Sequence, residues 1–184
     1  MKQINPNFIT TLRIAIFAPV ACIALMYGHL WLALTCMALG ELTDFFDGYI
    51  ARRTGQVSDF GKIYDPMCDS IFHMVIWISL LHLGWVSPYF VILFFVRDAI
   101  VANIRILLIK RGIVLGARWS GKVKAAAQAG AQIALVVLHL FVTGTALLSL
   151  QFAAVFAAAA VTLYSLYDYA RDSYQKVGVK KVAV

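Results

Sequence analysis

The chain has 184 residues, 62% of them hydrophobic and only 14% charged, against roughly 45–50% apolar and about 25% charged in ordinary soluble domains. That balance excludes disorder, a collagen-like chain and a soluble fold, because a chain this short has no core large enough to hide so much apolar surface. Sixteen Lys and Arg against nine Asp and Glu leave +7, which in an apolar chain reads first as membrane orientation and attraction to anionic lipid, and also admits anionic substrates.

A membrane helix uses about 20 apolar residues, and six such runs follow in chain order. The first, Phe8 to His29, is too long for a signal peptide and carries Arg13 near its start, so it reads as a retained span. The second runs from Leu30 to Ala51 and turns acidic near its end. The third, Asp65 to Trp85, is closed by the turn text Gly-Trp-Val-Ser-Pro. Tyr89 to Ile109, Val123 to Val142 and Leu147 to Tyr169 complete the set, with Thr-Gly-Thr separating the last two. Lys and Arg crowd the tails, the second–third loop and the fourth–fifth loop, while the connections near 28–31, 84–89 and 143–147 carry none. By the positive-inside rule both termini are cytoplasmic. The expectation is an all-α, integral membrane bundle of six transmembrane helices, one domain over 1–184 with no soluble appendage. Cys22, Cys36 and Cys68 show no CxxC spacing and read as small buried hydrophobes.

Carboxylates inside a membrane chain are expensive and point to function. Asp44, Asp47, Gly48 and Ala51 stand at i, i+3, i+4 and i+7, so they share one helix face, and Arg52 follows. Asp65 and Asp69, at i and i+4, share a face of the next helix, and the short loop between makes the two acidic ends meet. Four converging carboxylates repel unless cations sit among them. Oxygen-only ligation suits Mg2+ or Mn2+, and two such ions bridge a diphosphate. Gly48 and Ala51 remove bulk where a ligand approaches the backbone, and Arg52 adds a phosphate-binding fork. The bland alternative is a set of helix-end acids paired with Arg52, Arg53 and Lys62, which leaves the register of all four unexplained.

Residues 44–69 match without a gap the pattern D-x2-D-G-x2-A-R-x8-G-x3-D-x3-D, with Gly61 at the second glycine. This resembles the signature of the CDP-alcohol phosphotransferases. The resemblance implies a six-span membrane enzyme with a divalent-metal pair, in which a hydroxyl attacks the β-phosphoryl of a CDP-linked lipid or alcohol and CMP leaves. It implies that Asp44, Asp47 and Asp65 are the main metal ligands. It makes Asp69 the general base, touching metal as well, with nearby positive charge keeping it ionised.

The amino end, Ile-Asn-Pro-Asn-Phe-Ile-Thr-Thr-Leu-Arg, resembles the opening of the phosphatidylglycerophosphate and cardiolipin synthase branches of that family. By resemblance Asn7 and Thr10 hold the CDP moiety together with Gly48, Ala51, Arg52 and Gly61; helix capping by Asn7 and Thr10 is the plainer reading, and both fit. Arg97-Asp98 and Arg105, then Arg118-Trp-Ser-Gly-Lys122-Val-Lys124, look like the phosphatidylglycerophosphate synthase branch. A dianionic phosphate calls for two or three fixed cations. The resemblance makes CDP-diacylglycerol the expected donor, and the cation set makes glycerol 3-phosphate the expected acceptor, bound by Arg97, Arg105, Arg118 and Lys122. The alternatives are anchoring for Arg118, Lys122 and Lys124, and a local pair with Asp98 or Asp44 for Arg97. Ser70 stands where that branch usually has a basic residue, which leaves inositol phosphate, or phosphatidylglycerol as in cardiolipin synthesis, open.

His73 follows Asp69 by one turn and could orient it; no metal role is expected. Trp31, Trp85, Tyr89 and the Tyr164–Tyr169 stretch read as interfacial belt or packing. The Ala-rich last two spans suit close packing, and the resemblance implies a homodimer in a bacterial cytoplasmic membrane, multi-pass, with its active site facing the cytoplasm. No nucleic-acid partner is expected. A small cation or proton transporter is the competing class; it calls for an inverted repeat and a broken midplane helix, and neither is visible. A non-enzymatic membrane scaffold leaves the aspartate spacing without a reason.

Overall fold

A computed structural model of the chain describes residues 11, 13–54, 61–110 and 118–182, with side chains described for 11, 13–43, 64–109 and 118–176. All regular structure among the described residues is helical. A π-helical stretch, Arg13–Phe17, runs into α1 (Ala18–Met26). Then come α2 (Leu30–Thr54), α3 (Gly61–His82), α4 (Pro88–Lys110), α5 (Trp119–Phe141) and α6 (Thr145–Val182).

Among the described residues each apolar run lies on helix, and the differences fall at polar ends. α2 and α3 run on to Thr54 and back to Gly61, so the whole acidic pattern apart from its connection is helical. α6 continues past Tyr169 to Val182, where hydropathy sees no span. An i,i+4 ion pair, Asp172 to Lys176 at 2.9 Å, supports this polar extension. The basic-free connections are tight. At Gly28 (φ +74°) and Gly84 (φ +73°) the chain adopts a left-handed conformation that closes a helix. At each, the following amide reaches back five residues, His29 to Ala24 at 2.8 Å and Trp85 to Leu80 at 3.0 Å.

α5 and α6 form a hairpin packed along its length, and α4 lies against α6. α1 touches α2 and α3, and both of those reach α5. Ala21, Ala24, Ala33, Ala131, Ala158 and Ala159 line these seams and let backbones approach. Trp77 and Phe94 fill the centre with ring centroids 4.7 Å apart. At the end opposite the acidic helices' junction, Trp85 stacks on His139. His139 donates from Nδ1 to Leu135 O at 2.9 Å and accepts from Gln151 at 3.2 Å.

Around this apolar core, large apolar side chains also face outward and several polar ones lie inside. Ile23, Leu39, Ile78, Phe95, Phe141 and Phe156, on six different helices, are exposed, while Arg13, His73, Arg97, Lys124, Gln128 and Gln132 are buried. α5, and Thr145–Lys176 of α6, are long and apolar enough to cross a membrane. Cys36 and Cys68 are buried and Cys22 partly so, all three free thiols, as small hydrophobes should be.

Candidate active site

α2 carries Asp44, Asp47, Gly48 and Ala51 on one face of an unbroken helix, as their spacing requires. Gly61 opens α3, and Asp65 and Asp69 lie one turn apart on it with Pro66 between them. The side chains of Asp44, Asp47, Arg52 and the three small residues lie outside the described set, and Asn7 and Thr10 lie outside the described residues altogether. α2 and α3 meet just beyond the acids. The Phe72 ring lies against Gly40 so closely that a Cβ there would stand within 3.2 Å of three ring carbons. Beside it, His73 Nε2 is 3.8 Å from Glu41 Oε1. From these contacts the two acidic stretches run to ends joined by only the six residues 55–60.

Asp65 is exposed and Asp69 half-buried, so both face accessible space. Asp69 Oδ1 lies 3.6 Å from Arg13 Nη1 and 3.6 Å from His73 Nε2. Arg13 is almost wholly buried on the π-helical stretch, its guanidinium 5.6 Å from the centre of the Phe72 ring. A π-helical stretch shifts the side-chain register by one residue and is common at functional sites. Here it places a cation over the aspartate expected to act as base.

Asp98 is the hub of the second half of the site. Its Oδ1 accepts from Arg97 Nη1, and its Oδ2 accepts from both Ser70 Oγ and Lys124 Nζ, all at 2.9 Å. Three helices, α3, α4 and α5, thus meet on one carboxylate. Arg97 and Lys124 are buried, and a charge there is tolerated only when paired. Two cations to one carboxylate leave a positive surplus, which an anion would balance. Ser70 directly follows Asp69, so this surplus adjoins the acidic helix.

Arg97 also donates to Ser165 Oγ at 2.5 Å and lies 5.4 Å from the centre of the Tyr169 ring. Arg105, two turns along α4, donates to Tyr169 Oη at 2.5 Å with its guanidinium 5.2 Å from the same ring. One buried aromatic ring therefore gathers two guanidiniums by cation–π attraction. Gly121 makes room for it, since a Cβ there would meet Tyr169 Oη at 3.1 Å. Arg105 makes no ion pair among the described residues.

Arg118 is placed differently. It grips Asp168 with both ends of its fork, at 2.7 and 2.6 Å, and reaches Asp172 at 2.8 Å. Those hydrogen bonds, to Asp168 and then Asp172, raise its pKa further. Its charge is matched on the spot, with Ser120 also donating to Asp168. Lys122 is exposed and makes no ion pair among the described residues. The structure thus brings Arg97 and Arg105 together, commits Arg118 to two acids and leaves Lys122 on the surface.

An all-carboxylate set on two facing helices fits hard divalent ions. Among the described side chains no three His, Cys, Asp or Glu gather to hold a metal; Asp65 and Asp69 supply two carboxylates and Asp44 and Asp47 are the remaining two. Spacing brought out the aspartates, but not Arg13, Asp98 and Lys124 as buried participants; of the two readings of the Tyr164–Tyr169 stretch, belt or packing, Tyr169 takes the second, as a buried platform. The signal for Lys124 was faint but present: a Lys one turn inside an apolar helix needs an acid, and Asp98 was the acid within a neighbouring span.

A family model described as CDP-alcohol phosphatidyltransferase matches residues 3–165. The chain is 31% identical over 142 residues to a protein of Cereibacter sphaeroides named CDP-diacylglycerol--glycerol-3-phosphate 3-phosphatidyltransferase, covering 73% of this chain and 62% of that one. It is 35% identical over 140 residues to the probable phosphatidylglycerophosphate synthase of Mycobacterium tuberculosis, covering 73% and 66%. A Sodalis glossinidius protein, with the same name as the Cereibacter one, is 29% identical over 177 residues, covering 91% and 93%. The match thus spans just under two thirds of the first two relatives and nearly all of the third.

Proposed function

The chain belongs to the CDP-alcohol phosphatidyltransferase family, and from that premise we propose that it moves the phosphatidyl group of CDP-diacylglycerol onto glycerol 3-phosphate, releasing CMP. The observation that carries this reading is the Asp98 hub. It joins a cluster of two cations and one carboxylate to the residue after Asp69, so a phosphorylated alcohol held there brings its hydroxyl beside the acidic helices. The names of the relatives support the same donor and acceptor.

The C1 hydroxyl oxygen of the acceptor bonds to the β-phosphorus, the one that bears the diacylglycerol. The bond from that phosphorus to the oxygen of CMP breaks, and CMP leaves with the electron pair. Asp69 takes the hydroxyl proton, with the Arg13 guanidinium 3.6 Å from its Oδ1. Asp44, Asp47, Asp65 and Asp69 would hold two Mg2+ or Mn2+ ions, which when bound neutralise charge on the attacked phosphoryl and on the departing CMP. Asn7, Thr10 and Arg52 hold the CDP moiety, with Gly48, Ala51 and Gly61 giving it room. Arg97 and Arg105, spaced by Tyr169, bind the acceptor phosphate and Lys124 joins them, whereas Lys122 lies on the exposed face of α5, outside this set. Arg118, already matched by Asp168 and Asp172, serves the pocket by fixing the start of α5.

The wider setting belongs to the same proposal. Exposed apolar side chains on every helix and cations confined to alternate connections support a six-span bundle with both termini and the site on the cytoplasmic face of a bacterial inner membrane. The acyl chains enter sideways between helices. One domain spans 1–184, and the Ala-rich α5 and α6 suit a homodimer interface.

The test is CMP release from CDP-diacylglycerol in membranes given labelled glycerol 3-phosphate, inositol phosphate, inositol, serine or phosphatidylglycerol. Glycerol 3-phosphate is expected to support turnover, EDTA to abolish it, and Mg2+ or Mn2+ to restore it. Turnover with neutral acceptors alone would remove the phosphate pocket from the mechanism. Turnover with inositol phosphate alone would keep the pocket and change the acceptor.

A further inference from the structure

The cations that the fold holds in place around the site lie against acids, with one exception. Arg97 and Lys124 share Asp98, Arg13 lies beside Asp69, and Arg118 grips Asp168 and Asp172. Arg105 is the exception. Among the described residues its one hydrogen bond runs from Nη2 to Tyr169 Oη, at 2.5 Å. A phenol hydroxyl accepts that bond without carrying a charge.

Tyr169 is itself fixed. It is buried on α6. The start of α5 closes on it, where a Cβ at Gly121 would stand 3.1 Å from Oη. Its neighbour Asp168 shows the contrast within one helix turn. Asp168 takes the Arg118 fork with a carboxylate, which fixes that guanidinium and cancels its charge. Tyr169 fixes Arg105 and cancels nothing. It also stands beyond residues 3–165, which the family model matches.

We infer that Tyr169 is a positioning residue for the phosphate of the acceptor: its hydroxyl holds the Arg105 guanidinium in place and, being neutral, leaves the whole of that charge to the anion. This rests on the reading of Arg105 as a ligand of the acceptor phosphate. A tyrosine that only filled the space beside Gly121 would lose nothing by giving up its hydroxyl. An arginine ordered before the anion arrives binds it with less side-chain entropy left to lose. The phosphate is held alike in the bound acceptor and in the transition state, so the effect falls on the acceptor KM and not on kcat.

The experiment compares the full chain with Tyr169→Phe, Arg105→Ala and the double variant, in CMP release at varied glycerol 3-phosphate and varied CDP-diacylglycerol. Phe keeps the ring and removes only the hydroxyl. Tyr169→Phe is expected to raise the KM for glycerol 3-phosphate about 3- to 10-fold, the order of one hydrogen bond, with kcat and the KM for CDP-diacylglycerol unchanged. The double variant should match Arg105→Ala, because the two residues act in series. Gly121→Ala leaves both residues in place and presses on the hydroxyl, so it should raise the acceptor KM as well and reads the same bond if Tyr169→Phe does not fold. Wild-type acceptor KM in Tyr169→Phe, or in Gly121→Ala where that variant alone folds, would overturn the inference. So would a KM for CDP-diacylglycerol that rises in step, or losses that multiply in the double variant. A wild-type chain that releases no CMP with glycerol 3-phosphate would instead overturn the acceptor reading, and the inference with it.

Discussion

Replacing Asp98 by Asn should unsettle the bundle more than the loss of one hydrogen bond would. The carboxylate accepts from Arg97, Ser70 and Lys124, each at 2.9 Å. Asn keeps one acceptor oxygen and places an NH2 among three donors. However the amide turns, the negative charge is gone and two cations remain, with side chains only 7% and 4% exposed. Breaking a buried pair by removing one partner costs about 3–5 kcal/mol. In a chain of this size each kcal/mol moves the unfolding midpoint by about 2–4 °C, so a fall of roughly 6–20 °C is expected. Thermal unfolding in detergent, followed by circular dichroism, measures it. Because the cost is the orphaned charge, adding Lys124→Met to Asp98→Asn should recover most of the loss. A midpoint for Asp98→Asn within about 2 °C of wild type, or a double variant less stable than the single one, would refute the reasoning.

Three further outcomes are expected. Asp69→Asn should lower CMP release by about 100- to 10,000-fold while CDP-diacylglycerol binding, read by equilibrium dialysis of labelled lipid in micelles, persists; full activity would remove Asp69 as base. Arg105→Ala should raise the KM for glycerol 3-phosphate about 10- to 100-fold, the worth of a charged hydrogen bond of ~1.5–3 kcal/mol, with the KM for CDP-diacylglycerol unchanged. Gly40→Ala should cost about 1–3 kcal/mol by overpacking, since the Phe72 ring already occupies the space of a Cβ; unfolding midpoints should show Phe72→Leu relieving it in the double variant.

The helices were legible because apolar residues dominate the text: apolar runs on every helix and glycines at the basic-free turns announce themselves locally. The aspartate pattern was legible for a related reason. Asp44, Asp47, Asp65 and Asp69 are spaced by helix periodicity, so their shared faces follow from one chain segment. Partnerships across helices were at best faintly legible. Nothing near Lys124 in sequence says that it is buried against Asp98, because the acid lies on another helix. Arg118 read as a phosphate ligand for the same reason, since its partners Asp168 and Asp172 stand 50 or more residues away. Tyr169 belongs to a tyrosine-rich stretch that looks interfacial, and only the convergence of Arg97, Arg105 and Gly121 on its ring sets it apart.

Once those pairs are drawn, the positive surplus of the chain has a place. Arg118 and Lys176 are matched by Asp168 and Asp172 at the start of α5 and the polar end of α6, so that cluster is neutral and offers an anion little. Arg97 and Lys124 share the single carboxylate of Asp98, and Arg105 rests on an aromatic ring with no acid among the described residues. The unmatched charge therefore lies beside the helix that carries Asp65 and Asp69. Ser70, which in sequence looks like a missing cation, is in the fold a donor to the same Asp98 oxygen that Lys124 holds. A cation does stand beside Ser70: Lys124 of α5 holds the same oxygen, and its burial ties its position to the packing of three helices. Lys124 is buried and held by that carboxylate, and a fixed, desolvated cation acts more strongly on a neighbouring anion than a solvated one does.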